Sequence, residues 1–256
     1  MMKINYTYYN NYDLLDKVIR HYEPFKNDPN FTFTIIDDGS QQQPLTRDIV
    51  PDWWHLIRVK EDLGWGNEIC KNILMRHTDT VWNALMDLDY VIDLHDPVCY
   101  DAITTQFKKY YKDFATVNCC FQFTEGTRVE YTNFNNPEEK LPNGFYSINS
   151  YIVSRDVFLK TYGYDMAFRY TYGYDFTFFK QLDYEFRIPD TRLIKIAQQA
   201  TTAGSRPPPG DKSAFSEFYK LEKQYIEEKV YSIKNGWINE NERLKRCIPM
   251  PDIEIL

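Results

Sequence analysis

The first hundred residues alternate between short apolar runs and longer amphipathic stretches. Four of the runs have the length of a buried strand; they cover residues 3 to 9, 31 to 36, 56 to 59 and 81 to 86. Two stretches between them, residues 13 to 22 and 68 to 76, place apolar side chains at helical spacing. Strands that alternate with helices in this way predict βαβ units and a mainly parallel sheet.

The second half of the chain has a less regular pattern, which still predicts both types of element. We expect strands at residues 115 to 123 and 146 to 153, and helices at residues 101 to 111, 155 to 161, 176 to 182 and 213 to 233. Residues 203 to 210 interrupt the pattern with proline and glycine. The sequence therefore predicts an α/β domain over residues 1 to 202. Residues 203 to 256 are expected to form a flexible loop and a helical C-terminal extension packed on that domain.

Composition and charge narrow the range of functions. The 256 residues carry a net charge of −7, which argues against nucleic acid as the main partner because phosphate backbones require clustered lysine and arginine. No apolar run approaches the roughly 18 residues of a transmembrane span, although peripheral membrane contact requires none. The N-terminus turns polar too early for a secretory signal, and the five cysteines have no disulfide or zinc spacing. We expect a cytoplasmic protein with free thiols.

Acidic residues follow two of the predicted strands. Asp37 and Asp38 come directly after the second strand, and Asp87 and Asp89 come after the fourth. Open α/β sheets bind ligands outside the carboxyl ends of their strands, so these four carboxylates can face one crevice. Asp87 and Asp89 are two positions apart, which suits a hard cation such as Mg²⁺ or Mn²⁺ that also binds a diphosphate. Ordinary turn residues and solvated carboxylates are the alternative interpretation.

A loop with two glycines precedes the second predicted helix. Gly64 and Gly66 allow the backbone to approach a ligand closely, and Lys71 on the helix can offset phosphate charge. An ordinary loop before a helix explains the same residues equally well. The four histidines have neither a catalytic-triad nor a zinc spacing, so we expect them to be structural or solvated.

These segments have a characteristic order and spacing. They are Tyr8-Tyr9-Asn10, Phe33-Thr-Ile-Ile-Asp-Asp-Gly-Ser40, Gly64-Trp-Gly-Asn-Glu-Ile-Cys-Lys-Asn72, Leu85-Met-Asp-Leu-Asp89, Asn149-Ser-Tyr-Ile-Val-Ser-Arg-Asp156, Tyr162-Gly-Tyr-Asp165 and Tyr172-Gly-Tyr-Asp175. Taken together, they resemble the motifs of family 2 glycosyltransferases, which have the GT-A fold. The last three segments resemble the acceptor side of that family, and the others resemble its donor side.

The resemblance implies a GT-A fold, which is Rossmann-like α/β with a mainly parallel mixed sheet flanked by helices. It also implies inverting, metal-assisted transfer of a sugar from a UDP-sugar or GDP-sugar donor to a hydroxyl of a carbohydrate or glycoconjugate acceptor. Asp175 would be the general base, and Asp89 with Asp87 would lie at the Mn²⁺ or Mg²⁺ ion. The implied nucleotide-sugar-binding residues are Tyr8, Asp37 or Asp38 at the base, Gly64, Lys71, Asp87 near the ribose, and Asp89.

Two positions depart from the family pattern. Tyr174-Asp175 stands where the family commonly has Glu-Asp, and residues 196 to 200 lack the histidine that often helps to bind the metal. Two other functions stay open, namely a nucleotidyltransferase acting on sugar phosphates and a non-catalytic relative that binds nucleotide sugars or carbohydrate. The first usually needs a glycine-rich, basic phosphate loop near the N-terminus, and residues 6 to 13 contain neither glycine nor lysine.

Overall fold

A computed structural model describes the first 106 residues almost completely, together with several shorter pieces of the remainder. The described residues are 1–63, 67–88, 90–106, 123–124, 127–128, 151–160, 163–164, 196–198 and 251–256. They form a central mixed sheet flanked by helices.

Four parallel strands form the centre of this sheet. They are β1 (Met2–Tyr8), β2 (Phe31–Asp37), β3 (Trp54–Val59) and β4 (Trp82–Asp87). Strand β1 pairs with β2 on one side and with β4 on the other, while β3 pairs with β2. Because all four strands run in the same direction, their carboxyl ends lie at one edge of the sheet.

Six shorter strands are also described, of which two extend this centre. They are β5 (Tyr90–Ile92), β6 (Phe123–Thr124), β7 (Thr127–Arg128), β8 (Tyr151–Ser154), β9 (Ile196–Gln198) and β10 (Ile253–Ile255). Strand β8 pairs antiparallel with β4, and β10 pairs antiparallel with β3, so the main sheet has the order β10-β3-β2-β1-β4-β8. Strands β5 and β9 form a separate antiparallel pair, as do β6 and β7.

The helices of the described part are short. They are α1 (Tyr12–Tyr22) with a 3-10 turn at Glu23–Phe25, α2 (Asn67–His77), α3 (Pro97–Asp101) with a π-helical turn at Ala102–Gln106, and α4 (Arg155–Lys160). Asn11 caps α1 by accepting the N–H of Leu14 at 3.1 Å. Within the described ranges, no helix has both the length and the apolar character needed to cross a membrane.

Helix α1 packs on one face of the sheet over an aromatic core. Leu15, Val18 and Tyr22 of this helix are buried in the same cluster as Tyr6 and Trp54 of the sheet. The hydroxyls of Tyr6 and Tyr22 share a hydrogen bond of 3.0 Å, so the buried rings also satisfy their polar atoms. Large rings buried in this way provide much of the hydrophobic stabilisation of this face.

Helix α2 is buried along almost its whole length. Every residue from 68 to 75 is buried, and the helix contacts β1, β2, β4 and α4. The strands beneath it carry buried polar side chains as well, since the amide of Asn5 donates to Asn83 Oδ1 at 3.3 Å and to main-chain carbonyls. Buried polar groups of this kind require defined partners. The buried polar side chains of α2 lie near the edge formed by the carboxyl ends of the parallel strands.

All the strand and helix predictions for the first hundred residues, and one helix of the second half, are confirmed. Strands β1 to β4 and helices α1, α2 and α4 lie within two residues of their predicted bounds. The predicted mainly parallel sheet with helices is also confirmed. These elements could be predicted because the sequence of each contains a long apolar run or a periodic pattern of apolar residues.

Other elements differ from their predictions. The helix expected to begin at residue 101 begins at Pro97 instead, because the favourable Pro at the first turn sets the start, and its continuation is π-helical. The strand expected over residues 146 to 153 is described only as Tyr151–Ser154. Residues 253 to 255, assigned to a helical extension, form edge strand β10. The helices expected at residues 176 to 182 and 213 to 233 lie outside the described residues.

His21 in the last turn of α1 supports a prediction about pH. Its Nε2–H donates to the carbonyl of Ile92 at 2.9 Å. Burial lowers the pKa of His21 below 6.5, and neighbouring His95 lowers it further. The hydrogen bond to Ile92 and the charge of Asp93 partly oppose this shift. The folded state therefore binds fewer protons than the unfolded state as pH falls below 6.5. Stability from His21 is fully present above that pH and is lost as pH falls through the folded pKa.

We expect the free energy of unfolding to fall less steeply below pH 6.5 in His21→Gln than in the wild type. One proton contributes a slope of at most about 1.4 kcal/mol per pH unit. Chemical denaturation across this pH range measures the slopes. Parallel curves for the two proteins would contradict the assignment.

Candidate functional site

The carboxyl ends of β1, β2 and β4 form the edge at which the predicted site residues of the first half meet. From β1 the chain moves outward to β2 and β3, and it then returns to place β4 on the other side of β1. Open α/β sheets bind ligands in the crevice at such a reversal of strand order. Tyr8, Asp37 and Asp87 end these three strands, and Tyr8 pairs with Asp37 while Thr7 pairs with Asp87.

Asp37 organises the loop that follows β2. One carboxylate oxygen accepts the N–H of Ser40 at 2.9 Å, and the other accepts the N–H of Leu45 at 2.8 Å. Arg58 Nε lies 3.8 Å from the second oxygen. Burial raises the pKa of the Asp37 carboxyl, and the hydrogen bonds with Ser40 and Leu45 offset part of this effect. These contacts give Asp37 a structural role in the loop, and the contact of Asp37 or Asp38 with a nucleobase stays a prediction.

Asp38 lies between the ends of two strands. Its N–H donates to the carbonyl of Tyr8 at 3.0 Å, which continues the β1–β2 pairing by one residue. The side chain is buried at the edge where the strand order reverses. Asp38 therefore lies at the carboxyl end of β2, and its role toward a nucleobase stays a prediction.

Gly39 allows this loop to lie against the segment after β3. Its φ is 62°, and a Cβ at this position would lie 2.1 Å from the carbonyl oxygen of Glu61 and 2.6 Å from the nitrogen of Asp62. Both the left-handed backbone and the close approach require glycine. Close packing against the segment after β3 thus explains why the Asp-Asp-Gly-Ser motif has glycine at this position.

Gly39→Ala should lower the free energy of unfolding by about 1–3 kcal/mol because of this strain. Chemical denaturation measures the loss. Gln42→Ala is the matched control, since Gln42 is an exposed residue of the same loop and its replacement should change stability by less than about 0.5 kcal/mol. Equal stability of the two variants would contradict the close packing at Gly39.

The connection between β1 and α1 is bonded to the same loop. Asn10 has a left-handed φ of 44°, and its side-chain oxygen accepts the N–H groups of Gln42 and Gln43 at 3.1 and 2.9 Å. The N–H of Asn10 donates to Ser40 Oγ at 2.9 Å, and the Tyr8 hydroxyl donates to the Gln43 carbonyl at 2.8 Å. The two loops therefore form one connected wall of the crevice.

Tyr8 supports this wall from beneath. Its side chain is buried in the core, burial raises the pKa of its phenol, and its hydroxyl is bonded to the loop. The Tyr8 side chain is thus buried beneath the loop, and its predicted position at the border of a nucleotide stays a prediction. Tyr9, the next residue, is partly exposed, and its hydroxyl donates to Asp62 Oδ2 at 2.9 Å. Tyr9 presents the aromatic ring of this strand end at the surface.

Asp87 is held by helix α2 on the other side of the crevice. Its Oδ1 lies 2.8 Å from Lys71 Nζ and also accepts a hydrogen bond of 2.8 Å from Asn67 Nδ2. The Lys71 side chain is only 2% exposed and that of Asp87 is 17% exposed. A buried ammonium requires a paired charge, so Lys71 fixes the carboxylate of Asp87. The structure thus places the predicted phosphate-binding lysine in an internal ion pair.

The described residues include no cluster of metal-binding side chains. In the described part of the chain, no three His, Cys, Asp or Glu side chains form a possible ligand group. A cation on Asp87 Oδ1 would have to share that oxygen with the Lys71 ammonium, which repels it. Hard cations combine carboxylates with phosphate oxygens and water. The assignment of Asp87 and Asp89 to a metal ion therefore stays a prediction.

Three predicted residues, Gly64, Asp89 and Asp175, lie outside the described residues. Their roles stay predictions. The strand that follows Asp89, β5, pairs with β9, and Tyr90 lies opposite Gln198. The resemblance predicts that residues 196 to 200 correspond to a histidine-bearing stretch, and residues 196 to 198 form β9 beside the strand that follows the Asp-x-Asp motif.

Sequence reasoning assigned no role to Tyr9, Asn10 or Asn67. An asparagine after a strand or at a helix start is a useful signal, because it tolerates left-handed backbone and bonds to nearby polar groups. Neither Asn10 nor Asn67 lies in a sequence pattern that would have indicated its role. Their partners lie far along the chain or across the crevice, and the sequence cannot show such contacts.

The fold can be compared with solved structures. The mannosyltransferase PcManGT from Pyrobaculum calidifontis, solved with GDP-Man and Mn²⁺, superposes with a TM-score of 0.52 at 13% identity. The match covers 91% of this chain and 73% of that one. The chain has a Rossmann-like GT-A fold. This confirms the fold class that the sequence motifs implied.

Weaker likenesses exist to two other proteins. S. aureus TarS (residues 1–349) has a TM-score of 0.49 at 16% identity, with 69% of this chain and 53% of that chain covered. A putative glucose-1-phosphate thymidylyltransferase from Bacillus anthracis has a TM-score of 0.44 at 12% identity, with 87% and 95% covered. No protein-family model matches the sequence, and no curated protein is significantly similar to it.

Proposed function

We propose that the protein is a glycosyltransferase that moves a sugar from a nucleotide-sugar donor to a hydroxyl of a carbohydrate or glycoconjugate acceptor. One observation carries the proposal: the Asp38 loop and the Lys71–Asp87 pair lie at the carboxyl ends of β2 and β4, on either side of β1, where the strand order of a GT-A fold reverses. This is the position at which open α/β sheets bind nucleotides. The motif resemblance supports the same site independently.

The donor would lie with its base near Asp38 and Tyr9 and its ribose near Asp87. Asp38 can accept a hydrogen bond from a nucleobase N–H, and the partly exposed ring of Tyr9 can stack on the base. Asp87, held rigid by Lys71 and Asn67, can accept hydrogen bonds from ribose hydroxyls without reorganising. UDP-sugars and GDP-sugars both satisfy these requirements.

A divalent cation, Mn²⁺ or Mg²⁺, would be held by Asp89 and the donor diphosphate and would stabilise negative charge on the departing nucleoside diphosphate. Asp175 would accept the proton of the acceptor hydroxyl. The acceptor oxygen then forms a bond to the anomeric carbon, and the bond from that carbon to the diphosphate oxygen breaks. The electron pair leaves with the nucleoside diphosphate, and attack from the opposite side inverts the anomeric configuration.

The structure of the first loop weighs against the nucleotidyltransferase alternative. Asn10 and its neighbours lie where such enzymes place a glycine-rich phosphate loop, yet Asn10 is bonded to Ser40, Gln42 and Gln43 rather than open to phosphate. The connection also contains no lysine or glycine. A loop bonded in this way forms a wall for a base more readily than a cradle for phosphate.

A product assay separates the candidate functions. The protein is incubated with UDP-sugars and GDP-sugars, with and without Mn²⁺, and release of nucleoside diphosphate is measured. A glycosyltransferase should release it slowly by donor hydrolysis and faster when an acceptor is added. In parallel, a nucleoside triphosphate with a sugar phosphate should give no pyrophosphate. Pyrophosphate release would support a nucleotidyltransferase, and donor binding without any release would support a non-catalytic relative.

A further inference from the structure

Two consecutive residues of α2 reach toward different parts of the chain. Lys71 pairs with Asp87 at the end of β4, whereas Asn72 is bonded to the main chain of Tyr164. The Asn72 amide donates to the carbonyl of Tyr164, and its oxygen accepts the N–H of Tyr164, both at 2.9 Å. Lys71 and Asn72 are each only 2% exposed. The helix thus connects the donor end of the sheet to a segment 92 residues further along.

The segment at Tyr164 is fitted closely against this asparagine. Gly163 has a φ of 62°, and a Cβ there would lie 2.4 Å from both Asn72 Oδ1 and Phe158 Cε1. The N–H of Gly163 donates to the carbonyl of Phe158 at 2.9 Å, just after helix α4. The buried ring of Tyr164 contacts that of Phe158, with 6.1 Å between ring centroids. Little room is left for the segment to shift along α2.

The form of the contact matters more than its strength. An asparagine side chain that bonds both the N–H and the carbonyl of one residue fixes the position and the register of that residue. An apolar contact would hold the segment but would let it slide. The two neighbouring polar side chains of α2 therefore set the distance between Asp87 and the Tyr164 main chain.

We propose that Asn72 is a positioning residue that couples nucleotide binding at Asp87 to the Gly163–Tyr164 segment. The proposal rests on the proposed donor site. A nucleotide bonded to Asp87 strengthens the restraint that the Lys71–Asp87 ion pair already places on the helical turn of Lys71. Asn72 lies next in that turn and passes the restraint to the Tyr164 main chain. Couplings of this kind typically change affinity or exchange by about 5- to 150-fold.

Hydrogen exchange measures this coupling without requiring sugar transfer. The probe is UDP or GDP with Mn²⁺, whichever raises the melting temperature of the wild type. In the wild type, we expect the nucleotide to slow exchange of the Tyr164 amide by about fivefold or more. In Asn72→Asp, the lost N–H donor leaves two oxygens facing each other, so the nucleotide should no longer slow exchange. The Kd of the nucleotide should differ by less than about threefold between this variant and the wild type.

Asn83→Asp is the matched control. Asn83 is also a buried asparagine with main-chain partners beneath α2, but it lies near the start of β4, away from the functional edge. This variant should lose stability and keep the nucleotide-dependent slowing at Tyr164. If Asn72→Asp does not fold, Asn72→Ser removes both contacts with Tyr164 and has a smaller side chain.

Each outcome has a distinct meaning. Slowing that persists in a folded Asn72 variant overturns the coupling. A Tyr164 amide that does not respond in a wild type with measurable nucleotide affinity also overturns it. If the wild type binds no nucleotide at all, the proposed function itself fails and the coupling fails with it. Loss of slowing in the Asn72 variant, with the Asn83 control unaffected, supports the proposal.

Discussion

Replacing Asp175 with asparagine should lower the rate of sugar transfer by about 10²- to 10⁴-fold, the usual contribution of a positioned general base. A sugar hydroxyl is a weak nucleophile, so loss of the proton acceptor slows the chemical step most. The donor should still bind with nearly unchanged Kd, because Asp175 is expected on the acceptor side. Single-turnover transfer measures the rate, and calorimetric titration measures donor affinity.

The sequence offers a matched control for this variant. Asp165 ends the same five-residue sequence as Asp175, since Thr161-Tyr-Gly-Tyr-Asp165 is repeated at Thr171-Tyr-Gly-Tyr-Asp175. Asp165→Asn should therefore keep most of the turnover. Full activity in Asp175→Asn would contradict the proposed mechanism. Loss of activity in Asp165→Asn alone would move the general base to the other copy of the motif.

Removing the carboxylate of Asp87 should lower the free energy of unfolding by about 3 kcal/mol or more, because the buried ammonium of Lys71 would lose its ion pair with Asp87. Lys71→Met should cost less, since Asp87 is the more exposed partner and keeps Asn67. The double variant Asp87→Ala with Lys71→Met should regain much of the loss. Chemical denaturation of the four proteins gives the coupling energy.

The ion pair of Lys3 with Asp79 is the control for this cycle. It has the same residue types at 3.0 Å, but the Asp79 side chain is 82% exposed. Asp79→Ala should cost less than about 1 kcal/mol. Similar losses for Asp87→Ala and Asp79→Ala would contradict a buried, organising ion pair at the functional edge.

The sequence predicted the elements in which apolar residues follow a long, continuous pattern. Strands β1 to β4 and helix α1 follow directly from such patterns, and with them the edge where the carboxylates collect. The three-residue strands β5, β9 and β10 were not predicted, because so few residues carry no periodicity. They are defined by partners distant in the chain, as in the pairing of Ile253 with Val59.

For the site residues, too, only part of the arrangement could be predicted from the sequence. The sequence indicated that carboxylates follow β2 and β4, but not which of Asp37 and Asp38 turns into the loop. That choice depends on strand register, which sets Asp37 beside Tyr8 and Arg58. Lys71 was predicted to meet phosphate because its burial was not visible. A clue was present, since Glu68, Lys71 and Asn72 interrupt the apolar pattern of a helix buried nearly throughout.

The most direct test of the donor site is a thermal-shift series with nucleotide sugars and Mn²⁺ on the wild type, Asp38→Ala and Asp89→Asn. We expect at least one UDP-sugar or GDP-sugar to raise the melting temperature of the wild type by roughly 5–10 °C at a hundredfold excess over its Kd. The rise should be much smaller in both variants. No rise with any donor, or an equal rise in all three proteins, would contradict a nucleotide-sugar site at this edge.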